Sequence, residues 1–466
     1  MIGLLIVNAF YLVIGAALLP LLRIARTRDE LYARLGLAYI LGLAATAGLA
    51  AHLALIGVPM AWGELLVLAG GVGYFGWRRF RSLPNAPRNT VSRDRGRLEL
   101  ASLVVGVGAL VAALLLLAHA MRTFAVRPLV EWDGWAIWAM KARALYDFGG
   151  VGHGLFTTQP YGPLQHPLLL PSLEATGFRA MNTFDGTLIH VQLALLAFGF
   201  AAALWTLLRE RAPAAFVGAA VLAIVAADSV LRQLAGNLAD IPLALFVALG
   251  VVALARTLLD ANAALLPFAA VMLGAATLTK PEGLLFAAAA LIPFVAIART
   301  RAAAWTAVAV ALILLPWRIF TAAHGLRNPE YSLGDAVNPA YLADHSSRAG
   351  PAFWGVWHQV WSSGWGWLVP FALIAFAGAI VARRWRLAGF AAAWALLSYA
   401  GIVLVFWISV VPVELTLRWA AYRTVASLVI GVAALAPLLA AEAWSVRQTG
   451  VGDVSGLLLS SRRDQA

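Results

Sequence analysis

The chain has 466 residues, 62% of them hydrophobic and only 12% charged, with a mean hydropathy of +0.83. Soluble domains run at roughly 45–50% apolar and about 25% charged residues, so this composition excludes a cytoplasmic enzyme, a secreted disulfide scaffold and a disordered chain. The net charge is +12 and cysteine is absent. That rules out thiolate metal sites and thiol nucleophiles, and in so apolar a chain excess arginine reads as loop orientation and lipid contact, with no nucleic acid partner.

A helix needs about 20 apolar residues to cross the hydrocarbon core. In chain order the candidate spans are 2–22, 35–57, 61–77, 98–121, 188–208, 213–230, 239–255, 261–279, 283–298, 302–320, 366–382, 387–411 and 419–441. The predicted fold class is therefore all-α, a polytopic transmembrane helical bundle of about 13 spans (range 11–14). Placing the N-terminus outside leaves every cytoplasmic segment basic: Arg23 to Arg34, Arg78 to Arg97, Arg209 and Arg211, Arg256, Arg299 and Arg301, Arg383 to Arg386, and the tail. That is the positive-inside bias. The first hydrophobic stretch lacks a basic leader and is followed by arginine, so it reads as an anchor.

This count divides the chain into a three-span leader (1–80), a basic cytoplasmic linker (81–97), a transmembrane module (98–441) and a cytoplasmic tail (442–466). Two long outer loops, 122–187 and 321–365, exceed ordinary turns. Acidic residues outside the arginine-rich loops gather on that outer side, among them Glu131, Asp133, Glu174, Asp240, Glu282 and Glu330. Ionisable groups at membrane depth are expensive and mark functional sites by default.

The stretch EWDGWAIWAMKARALYDFGG (131–150) carries the clearest pattern. Trp135, Trp138, Ala142 and Leu145 recur at helical spacing, as do Ile137, Lys141 and Ala144. The spacing predicts an amphipathic juxtamembrane helix, with tryptophan at headgroup depth and Lys141 and Arg143 reaching for phosphate. Lys141 and Lys280 are the only lysines in a chain that otherwise uses arginine. A lysine ammonium is a compact point charge suited to phosphate.

A multi-span chain with an acid in its first large outer loop, followed by such a helix, resembles the GT-C superfamily of integral-membrane glycosyltransferases. More narrowly it resembles bacterial polyprenol-phosphate-sugar transferases related to protein mannosyltransferases and the aminoarabinose transferase. GNLADIPLALF (236–246) is similar to the family's second acidic motif, Asp-x-Pro, here Asp240-Ile241-Pro242. LTKPEG (278–283) is similar to its Thr-Lys-x-x-Gly turn, and YGPLQHPLLLPSLEA (161–175) to its Tyr-Pro-rich segment. The likeness covers roughly 98–440. Many members carry Asp-Asp or Asp-Glu where this chain has Glu131-Trp132-Asp133, which leaves the base open between Glu131 and Asp133.

The resemblance implies inverting transfer of a sugar from a polyprenyl-phosphate donor to an acceptor hydroxyl on a glycan, lipid or protein. The enzyme would sit in a bacterial cytoplasmic membrane and act on its outer face. It assigns the base to Asp133, with Asp240 as a second carboxylate. Lys141, Arg143, Lys280, Arg318 and Arg423 are expected at the leaving phosphate. Trp132, Trp135, Tyr161, His166 and Glu282 are expected around the substrate. No cofactor or metal is required if Arg and Lys supply the charge. A divalent cation stays open, with His153 and His166 as additional ligands. Two other classes remain: a transporter or flippase for a lipid-linked saccharide, whose charges belong near the midplane, and a non-catalytic scaffold.

Overall fold

The computed structural model describes residues 2–85, 97–158 and 164–460. The described residues are helical and contain no strand. Most of the 81–97 linker and the last residues of the tail lie outside them. The main helices are α1 (Ile2–Leu21), α2 (Ala38–Leu55), α3 (Trp62–Arg81), α4 (Arg97–Phe124), α5 (Met140–Phe148), α6 (Leu169–Met181), α7 (Gly186–Arg209), α8 (Ala214–Ala226) and α9 (Asp228–Ala235). They continue with α10 (Asp240–Asp260), α11 (Leu266–Thr279), α12 (Glu282–Ala298), α13 (Arg301–Ala323), α14 (Ala349–Val360), α15 (Leu368–Val381), α16 (Trp385–Trp407) and α17 (Ala426–Ser460).

Among the described residues eight helices are long and apolar enough to cross a membrane, or up to ten if each of two bent pairs is one span. These are the helices of a membrane protein. Each of the thirteen predicted segments is helical, but not each meets the length or composition of a span. The helix at the 61–77 segment, Trp62–Arg81, carries Glu64, Arg78, Arg79 and Arg81. The segments 263–279 and 282–298 are short apolar helices, separated by Lys280, which is extended (φ −153°, ψ 152°) and precedes Pro281. Proline disfavours helix in the residue before it, so one apolar stretch becomes two short helices. The segment 213–230 bends by 51° between α8 and α9, and α15 meets the helical stretch before it at 107°.

The centre of the bundle is α10, whose apolar window is buried throughout. It packs against α7, α11 and α17. A helix apolar on every face has no aqueous side and belongs in the middle of such a bundle. The leader helices α1 and α2 pack against α6 and α7, and α2 also meets α11 and α13. Residues 1–80 thus share their core with the rest of the chain.

The bundle has two chemically different ends. At one end Asp240 opens α10 and lies beside Lys280, which follows α11. At the other, Arg256 near the end of α10 pairs with Glu210 (2.7 Å) and Asp260 (2.8 Å), and Arg211 pairs with Asp260 (2.6 Å). That second network ties the α7–α8 turn to α10.

Candidate active site

Asp133 begins a π-helical turn, Asp133–Ala139, that runs into α5. Single π turns widen the helix and are frequent at functional sites. Gly134 is needed in this turn, because a Cβ there would stand 2.0 Å from Gly236 O. The contact brings the turn against the corner between α9 and α10. Asn237 sits in that corner in the left-handed region (φ 53°), which asparagine tolerates better than most residues. Its Nδ2 donates to Gly134 O at 3.2 Å. Asp133 is thereby held next to the start of α10.

Two acid–cation pairs form the heart of the site. Lys280 Nζ donates to Asp240 Oδ1 at 2.7 Å and stands 3.5 Å from Glu282 Oε1. Arg423, which follows a second π turn at Leu417–Ala421, donates to Asp133 Oδ2. Arg423 also feels the Asp240 charge, which joins the two pairs. Asp240 and Lys280 are almost wholly buried. Asp133 and Arg423 are partly open. Burial alone would lower the Lys280 pKa, but Asp240 and Glu282 outweigh it and hold it above its ordinary value.

Lys141 is linked to these pairs through His166, whose ring feels the charges of Lys141, Lys280 and Arg423. The predicted amphipathic segment does form, but α5 packs on α6, so the face with Trp138, Lys141 and Ala142 is inside. Lys141 therefore is not at the surface. Its Nζ donates to His166 O (3.0 Å) and Leu164 O (3.4 Å), and burial pushes its pKa down to about 7. The His166 ring stacks on Trp138, with centroids 5.1 Å apart and planes 13° apart. Burial first, then Lys141, Lys280 and Arg423, push the His166 pKa well down, so it is neutral near pH 7.

A cavity of about 680 Å³ opens beside Glu282. Its polar end is lined by Gln165, Glu282, Arg318, Arg327, Asn328 and Tyr331. Trp317 Nε1 donates to Gln165 O at 3.3 Å and braces that wall. The remaining wall is aliphatic, from α12, α13 and α16, and includes Leu285, Ile292, Leu314 and Leu404. Burial raises the Glu330 and Tyr331 pKa values, and the neighbouring Glu282 raises both further.

The structure thus brings together Asp133, Asp240, Lys280, Glu282, Arg423, Lys141 and His166. It places Arg318 on the cavity rim, exposed. Glu131 is exposed beside Gly236. Trp132 and Trp135 are exposed and pack edge to face at 4.9 Å. Arg143 points away from the cluster: it pairs with Asp147 (3.5 Å) and lies over the Phe184 ring. Tyr161 lies outside the described residues. His153 caps a short turn by accepting from Leu155 N and stacks on Phe148. Among the described residues no three His, Asp or Glu gather as a metal site.

Sequence reasoning gave no role to Asn237, Gln165 and Trp317, and named Glu174 only among the outer acids. Glu174 had a signal, a lone acid in the apolar run LLLPSLEAT. It is 1% exposed, and burial pushes its pKa up to about 8, with Asn237 opposing. Asn237 had none, since its role depends on a contact with residue 134.

Chemically, the site presents carboxylates that accept protons and cations that accept an anion, at the mouth of a cavity with an apolar wall. No family model, curated protein or solved structure matches this chain.

Proposed function

We propose that the protein transfers a sugar from a polyprenyl-phosphate donor to an acceptor hydroxyl at the end of the bundle that holds Asp133. One observation carries this reading: the Asp133–Arg423 and Asp240–Lys280 pairs meet beside a cavity that is polar at one end and aliphatic at the other. An amphiphilic slot suits an amphiphilic donor, with its phosphate among the cations and its prenyl chain between α12, α13 and α16. The reading extends to 13 crossings, a bacterial cytoplasmic membrane, an N-terminus outside and an outer-face site.

In this mechanism the donor phosphate takes Arg423 from Asp133, and the freed carboxylate faces the acceptor. The acceptor oxygen attacks the anomeric carbon as the bond from that carbon to the phosphate oxygen breaks. The lipid phosphate leaves with the electron pair, stabilised by Arg423 and Lys280. The hydroxyl proton passes to Asp133. One displacement inverts the anomeric centre. Asp240 holds Lys280 in place, and Glu282 faces the sugar or acceptor.

The test is transfer from a panel of radiolabelled polyprenyl-phosphate sugars by the purified protein and its Asp133→Asn variant, with and without EDTA. Loss of a general base typically costs about 10²–10⁴-fold, so we expect a drop of that size in the variant. Turnover that survives EDTA assigns the phosphate charge to Arg and Lys alone. Undiminished turnover in Asp133→Asn moves the base to Glu131 or Asp240. No turnover with any donor, together with saccharide-lipid flipping in proteoliposomes, overturns the proposal in favour of a transporter.

A further inference from the structure

A second cavity, of about 570 Å³, lies between α8, α15 and α17 and shares no lining residue with the first. Its floor is Ala433, Ala436 and Ala440 of α17, small residues on one helix face, and Phe216 and Phe371 stand on its sides. No charged residue lines it. It follows α15 from Leu368 to Ala382, about 21 Å at the helical rise. One leaflet of the hydrocarbon core is about 15 Å deep, so the groove is long enough for a stretched acyl chain.

The ends of the groove differ. Near Leu368 the chain packs on α9, where a Cβ on Gly364 would meet Ser229 Oγ at 2.3 Å. At the far end Val381, Ala382 and Trp444 open onto the α15–α16 turn, with Arg383, Arg384 and Arg386 all exposed. Arg384 is committed to Glu442 (3.1 Å). Arg383 and Arg386 have no carboxylate partner among the described residues, although Arg383 holds a left-handed backbone (φ 58°) that ends α15 and turns the chain across the groove mouth.

We propose that this groove is a binding site for an anionic phospholipid, with one acyl chain along the alanine floor and its phosphate at Arg383 and Arg386. Trp444 and Trp385, both exposed, stand at the level between chain and headgroup, where tryptophan prefers to sit. Charge complementarity selects this occupant over a second copy of the chain: a two-fold pair seated here would bring two arginine clusters together in a protein of net charge +12. A zwitterionic lipid offers the same chain but no net charge to the arginines. The site is separate from the proposed transfer reaction and stands or falls without it.

The experiment is native mass spectrometry of the purified protein exchanged into equal amounts of phosphatidylglycerol and phosphatidylcholine. We expect one tightly retained lipid, with phosphatidylglycerol favoured at least about tenfold, the effect of two arginines near a charged headgroup. Arg383→Gln with Arg386→Gln should bring that ratio near one, whereas Arg299→Gln with Arg301→Gln should leave it unchanged. Ala436→Phe with Ala440→Phe fills the groove and should abolish retention of both lipids. Equal retention by the unaltered protein overturns the proposal, as does a preference that survives the first double variant. A dimer that the phenylalanine variant dissociates also overturns it and assigns the groove to a second copy. The arginine variants change exposed side chains, so the test survives if the groove-filling variant misfolds.

Discussion

Glu174 shows how one side chain can report on the whole wall around it. Both of its carboxyl oxygens are buried, and its neighbour Asn237, which opposes the effect of burial, also donates to Gly134 O. Burial raises its pKa from 4.5 to about 8. Between those values the unfolded chain has lost the proton and the folded chain keeps it. The Glu174 contribution to folding stability therefore falls as pH rises from about 4.5 to 8 and is flat above. The slope is at most about 1.4 kcal/mol per pH unit. Glu174→Gln, an isostere with no titration, should remove that dependence. Thermal unfolding in detergent at pH 5 and pH 8 checks it, and an equal pH response in both proteins would mean that Glu174 is ionised. At this scale Asp133, Asp240 and Lys280 were legible: Asp240 and Lys280 stand at predicted span ends, and Asp133 lies in the first long outer loop. Their pairing was not, because Asp133 and Arg423 are 290 residues apart.

Helices touch where small residues let their backbones approach. A Cβ on Gly42 of α2 would stand 1.8 Å from Tyr11 O of α1, so Gly42→Ala must push the two helices apart. Overpacking costs about 1–3 kcal/mol, and we expect a clear fall in unfolding temperature. Gly70 of α3 has nothing within 4 Å of its Cβ position, so Gly70→Ala should leave that temperature unchanged or raise it. Similar losses in both variants would argue against close α1–α2 packing. The helices within the thirteen predicted segments were legible from their apolar runs, since periodicity and length carry that signal, whereas α6 lies in what reads as the first long outer loop. The π turn at Asp133 and the bend between α8 and α9 were not, because backbone register and bending answer to neighbours and leave hydropathy unchanged.

Across the whole molecule, charge is sorted to two ends of the bundle. The Asp133 cluster occupies one end, and the Glu210–Arg256–Asp260 network the other. The leader is fastened to the rest inside the apolar region. Asn8 of α1 donates to Gln192 Oε1 of α7 at 2.9 Å, and Tyr39 of α2 donates to Asn8 Oδ1. His52 Nε2 donates to Ile313 O at 2.9 Å. The chain has no cysteine, so single introduced thiols report sidedness cleanly. Ser347→Cys should react with an impermeant maleimide on intact cells, and Ser82→Cys only after permeabilisation. Labelling of both from one side would require an even number of crossings between them and overturn the proposed orientation.

The sequence by itself determined that the protein is helical, that it suits a bilayer, and which acids and cations are concentrated at span ends. Those properties follow from local composition, because lipid penalises unpaired backbone and unpaired charge wherever they occur. Only the tertiary structure decided which acid meets which cation, that Lys141 faces inward while Arg143 faces outward, and that a cavity opens beside Glu282. These are outcomes of helix packing between segments far apart in the chain, and no local pattern encodes them.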